Sequence, residues 1–64
     1  MIGANLMNIR LNKRFSRKKL SEKSGVSAST IGMIEWGKSP HPQISTLSKL
    51  ATALGVTVND FIDD

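Results

Sequence analysis

Nine lysines and arginines against five acids give this 64-residue chain a net charge of +4 at pH 7. They are unevenly placed. Residues 1–38 hold Arg10, Lys13, Arg14, Arg17, Lys18, Lys19, Lys23 and Lys38 with only Glu22 and Glu35 as acids, net +6; residues 39–64 hold Lys49 against Asp60, Asp63 and Asp64, net −2. Cations gathered in one lobe, with an acidic tail, suit the holding of a polyanion. The plain alternative is a solvated lysine-rich surface, and charge by itself does not separate the two. Other chemistry is scarce. With no cysteine there is no disulfide, no thiolate zinc site and no thiol nucleophile. The single histidine, His41, lies between two prolines and reads as a loop residue, not a ligand. No nucleophile–base pair presents itself, so no catalytic residue, no metal and no cofactor are expected, and the chain reads as a non-enzyme.

Those cations need elements to aim them, and the turn signals divide the chain into five short helical segments. No alternating apolar/polar run of strand length occurs, which makes the fold class all-α. The first helix is expected over about residues 3–13, with Ile2, Leu6 and Ile9 on one stripe and Arg10 at its border. The second covers about 17–24, capped by Ser16, with Phe15 and Leu20 at staple spacing and Gly25 as its stop. The third covers about 28–36, capped by Ser27, stapled by Val26 and Ile31, and ended by Gly37. Ile31 and Ile34 face inward there; Ala28, Ser29, Gly32 and Met33 face outward. After a stiff Ser-Pro-His-Pro loop, a fourth helix over about 44–54 places Ile44, Leu47, Leu50, Ala51 and Leu54 on one face, with Gly55 as its stop. The fifth covers about 58–62, with Thr57 and Asp60 at capping-box spacing and Val56 and Phe61 as a third staple.

The second and third helices are separated by Ser24-Gly25-Val26-Ser27, a glycine-containing turn of helix-turn-helix geometry spanning about residues 16–37. The chain here resembles the Cro/cI-type (Xre-like) helix-turn-helix regulators of phages and bacteria, over about residues 2–62. The carriers are Ile9-Arg10, Phe15-Ser16 with Leu20, Gly25-Val26-Ser27, Ser29-Thr30-Ile31, Ile34-Glu35 with Gly37-Lys38, and the Leu-x-x-Leu-Ala-x-x-Leu-Gly-Val run from Leu47 to Val56. Each piece is common; their order and spacing together are specific. The resemblance implies a five-helix lambda-repressor-like domain with its third helix in the major groove of double-stranded DNA, the start of its second helix over the phosphate backbone, and action as a small repressor-like transcriptional regulator.

On that reading two groups of residues acquire roles. Ser16, Arg17, Ser27, Ser29, Lys38 and Ser39 are candidates for phosphate contact, helix starts being natural anion sites. Ala28, Ser29, Gly32 and Met33 are the candidates for base contact. This is a poor hydrogen-bonding set, so thymine-methyl contact or indirect readout is expected, with Arg17 alone able to reach a guanine edge bidentately. Arg10 and Glu35, positions that family members often pair inside the fold, are expected to form a structural pair. Met33 is expected to be exposed. Trp36 can pack on the loop, approach the DNA backbone or join an interface. Val58 and Ile62 are expected to offer a patch to a second copy, giving a homodimer that reads a pseudo-palindromic operator.

The chain departs from the family in five places. Arg17 stands where a glutamine is usual, and Arg14 where a glycine usually ends the first helix, so Arg14 is expected at φ > 0. Ser21 and Ser24 replace small or apolar residues, and the loop over 39–43 is longer than the common form. The opening residues meet Arg10 too soon for a secretory signal, and no apolar run reaches 18 residues. Residues 1–64 are therefore expected to form one soluble, cytoplasmic domain without a small-molecule ligand. The competing class is a protein-interaction module on the same fold, or an antitoxin or controller component that binds a protein as well as its own promoter.

Overall fold

The computed structural model describes residues 1–39 and 41–62. Pro40, Asp63 and Asp64 lie outside the described residues, and with them part of the loop reading and most of the acidic tail. Among the described residues five helices follow in order: α1 (Ile2–Asn12), α2 (Arg17–Ser24), α3 (Ala28–Glu35), α4 (Ile44–Leu54) and α5 (Val58–Ile62). There is no strand among the described residues. The whole is a five-helix lambda-repressor-like bundle.

The hydroxyl caps set where the central helices begin. Ser16 Oγ accepts from Lys19 N–H at 3.0 Å, and Ser27 Oγ from Thr30 N–H at 3.1 Å. Gly25 ends α2 at φ 78°, a left-handed conformation that a Cβ would strain, and its N–H closes on the Ser21 carbonyl. Arg14 takes the same conformation at φ 61° without being glycine. At α5 the capping box is half made. The Asp60 carboxylate accepts from Thr57 N–H at 2.9 Å, but Asp60 N–H goes to the Thr57 carbonyl, not its hydroxyl.

One core joins all five helices: Leu6, Leu20, Val26, Ile31, Ile34, Leu47, Leu50, Ala51, Leu54 and Phe61. Each helix is too short to be stable alone, so burial of its apolar stripe is what holds it. α1 lies against α3 and α5, α2 against α3 and α4, and α4 against α5. The α1–α3 approach is close. A Cβ on Gly3 would run into the Ile34 carbonyl oxygen, so only glycine lets the start of α1 rest on the end of α3. Asn5 Nδ2 donates to the Phe61 carbonyl at 2.8 Å and ties α1 to α5.

Three boundary or face expectations are corrected. α1 starts at Ile2 and ends at Asn12, one residue earlier at each end than its pattern suggests. α3 ends at Glu35, with Trp36 as its cap residue and not its last helical turn. Ile44, placed with the inward residues of α4, is 65% exposed. It occupies the first turn, where the Cα–Cβ bond tilts back past the helix start, beyond the helices that cover Leu47 and Leu50.

Candidate nucleic-acid interface

The two serine-capped helix starts supply directed donors. Four N–H groups at a helix start lack intrahelical acceptors. At α2, Ser16 Oγ takes Lys19 N–H and the Ser16 carbonyl takes Leu20 N–H, which leaves Arg17 and Lys18 N–H. At α3, Ser27 serves Thr30 and Ile31 in the same way and leaves Ala28 and Ser29 N–H. Both ends therefore carry free amides and the positive end of a helix dipole. The Ser27 hydroxyl also donates to Thr30 Oγ1 at 2.9 Å, so it serves the cap first.

The turn that orients α3 is locked by charge. Glu35, whose side chain is fully buried, accepts from Arg10 Nε at 2.6 Å and Arg10 Nη2 at 3.1 Å, a two-pronged contact. Arg10 Nη1 also donates to the Phe15 carbonyl at 2.8 Å. One arginine thus joins α1, the α1–α2 loop and α3. Arg17 Nε reaches the same carboxylate, at 2.9 Å from Glu35 Oε1, and its guanidinium carbon lies 5.7 Å from the centre of the Trp36 ring. Its side chain is 35% exposed. Two arginines on one glutamate leave one positive charge in surplus, at the exposed member. With Nε engaged, the edge formed by the two terminal nitrogens is what Arg17 has left for a phosphate or guanine.

The outward face of α3 carries Ala28 and Ser29 exposed, Gly32 half-buried and Met33 47% exposed. Trp36 follows at 68% exposed. Lys38 is exposed and Ser39 half-buried. Their N–H groups both turn back to the Met33 carbonyl, at 2.9 and 3.2 Å. Only their side chains are therefore left for a ligand. Ser16, Arg17, Trp36, Lys38 and the α3 face belong to one helix-turn-helix unit. Val58 and Ile62 lie apart from it on α5, Ile62 exposed and Val58 half-buried against the core.

Two contacts have no clear signal in the sequence: the Arg17–Glu35 bridge, and the cation–π approach of Arg17 to Trp36. A third was readable. Lys19 and Lys23 are four residues apart on α2, and their ammonium groups sit 5.0 and 6.0 Å from the centre of the Phe15 ring. That spacing puts both on one face of the helix. Among the described residues there is no group of His, Cys, Asp and Glu that could hold a metal ion, and no helix long and apolar enough to cross a membrane.

A glycine turn between two short, serine-capped helices, set on a three-helix support, defines a helix-turn-helix protein, and the sequence profile of the helix-turn-helix family matches residues 6–61. The chain belongs to that family, in its Xre-like branch. It is similar to the HTH-type transcriptional regulator SinR of Bacillus subtilis (strain 168), 34% identical over 64 residues, covering all of this chain and 58% of that protein. The SinR of Bacillus licheniformis is 33% identical over the same span and share. The HTH-type transcriptional regulator SutR of Escherichia coli (strain K12) is 36% identical over 61 residues, 95% of this chain and 34% of that protein. The chain thus spans little more than half the length of the SinR proteins and about a third of SutR.

Proposed function

We propose that residues 1–64 act as one unit that binds double-stranded DNA sequence-specifically as a small repressor-like transcriptional regulator, in the cytoplasm. α3 enters the major groove with Ala28, Ser29, Gly32 and Met33 against base edges. Arg17 and the free amides at the starts of α2 and α3 take phosphates, helped by Ser16, Ser27, Ser29, Lys38 and Ser39. Arg10 and Glu35 do not touch DNA; they hold α3 at its angle. A second copy meets the first through Val58 and Ile62, and the pair reads a pseudo-palindrome.

The observation that carries this reading is the pair of serine-capped helix starts, each with two unpaired amides, on the lobe that holds eight of the nine cations. The relatives' printed names, all transcriptional regulators, support the same class. In vitro selection from random duplexes tests it. The expected outcome is a recovered motif of two related half-sites about one helical turn apart. Recovery of no motif would overturn sequence-specific binding, and a single unrepeated half-site would overturn the dimer.

A further inference from the structure

We infer that Trp36 is a positioning residue for DNA binding: together with Glu35 it holds the Arg17 guanidinium in one orientation, with both terminal nitrogens free for a phosphate. The inference rests on the DNA-binding reading and deepens it, giving a role to a large side chain which that reading leaves unused. Trp36 is 68% exposed and stands outside the core. Its ring is not needed to end α3, because its backbone does that. The Trp36 N–H closes on the Gly32 carbonyl at φ −85° and ψ 0°, a turn conformation open to most residues.

Arg17 sits where helix electrostatics disfavour it. It opens α2, where the dipole is positive, and the first turn of α2 has no acid to offset the charge. The offset comes from the end of α3. Glu35 takes Arg17 Nε at 2.9 Å, and the Trp36 ring centre lies 5.7 Å from the guanidinium carbon, within cation–π range. Arg10, on the same carboxylate, commits Nε and both terminal nitrogens inside the fold. Arg17 commits Nε alone, and among the described residues its terminal nitrogens have no hydrogen bond. An aromatic face suits this arrangement. It restrains the guanidinium without neutralising it and without taking an N–H, both of which a second carboxylate would do. An arginine held in this way loses less side-chain freedom on meeting a phosphate, and its terminal edge can grip two phosphate oxygens.

The test measures affinity for a random-sequence duplex across a salt series, for the wild-type chain, Arg17→Ala, Trp36→Ala, Trp36→Phe and the double variant Arg17→Ala with Trp36→Ala. Trp36→Ala should weaken binding roughly two- to fivefold at fixed salt, as the fraction of chains with Arg17 in its productive orientation falls. It removes no charge, so the log–log salt slope should stay that of the wild type, whereas Arg17→Ala should lower it by about 0.9. Trp36→Phe keeps an aromatic face but no indole N–H, and should restore most of the loss. In the Arg17→Ala background, Trp36→Ala should cost nothing further. That pattern separates positioning from direct contact of the indole with DNA and from a general loss of fold, both of which would persist without Arg17. The inference is overturned if Trp36→Ala is neutral toward binding, if its cost is the same with and without Arg17, or if Trp36→Phe rescues nothing. If the wild-type chain binds no duplex at low salt, the DNA-binding reading fails and the assignment of Trp36 falls with it. If the wild type binds and Trp36→Ala is neutral, the assignment fails alone.

Discussion

Glu35 is the residue on which the geometry of the helix-turn-helix depends. Its carboxylate is fully enclosed and answers to two arginines, of which Arg10 is buried and Arg17 partly exposed. Such a cluster is costly to desolvate, and removing Glu35 leaves Arg10 buried without a counter-charge. Glu35→Ala should therefore lower stability by about 3 kcal/mol in urea denaturation. Glu22→Ala, on the exposed side of α2, should stay within about 0.5 kcal/mol. Equal midpoints for the two would contradict the account. Arg17→Ala should cost under about 1 kcal/mol, because its own side chain is partly exposed and Arg10 still pairs with Glu35, while weakening DNA binding more than its small structural cost explains. The approach of Arg10 to Glu35 was legible only through the family resemblance. Periodicity puts Arg10 merely at the border of the α1 stripe, and nothing in the sequence brings Arg17 to the same carboxylate, because that contact depends on how α2 crosses α3.

At the scale of the element, helix starts were readable because caps and staples are local chemistry. Ser16 and Ser27 each bond an amide three residues on, and the extents of α2 and α5 match the spacing of these signals. Faces were less readable, because periodicity does not say how far the covering helices extend. Ile44 and Leu47 share the α4 stripe, yet Leu47 is in the core and Ile44 overhangs the helix start. Leu47→Ala should accordingly cost about 2–5 kcal/mol. Ile44→Ala should change stability by no more than about 0.5 kcal/mol, as measured by thermal melting of both variants. A large loss at Ile44 would mean that α4 packs further toward its start than the structure has it. The role of Gly3 was hidden for a related reason. Nothing local requires glycine there; the requirement comes from a carbonyl on α3, more than thirty residues away.

For the whole molecule, the division of charge organises the proposed function. The lobe built from residues 1–38 carries net +6 and contains the whole helix-turn-helix, while the remainder carries net −2. Fold class was legible from the turn residues and the helical periodicity. The individual contacts were not, because they depend on which side chains the fold spends internally. Arg17 gives its Nε to Glu35, and Lys38 and Ser39 give their amides to Met33. The most direct test of the central claim is binding to a random-sequence duplex across a salt series, with helicity followed in parallel. The affinity should fall linearly on log–log axes, with a slope set by several neutralised phosphates at about 0.9 each, and Lys38→Ala should lower the slope by about one such unit. No binding at low salt by a chain of intact helicity, or binding indifferent to salt, would contradict the account.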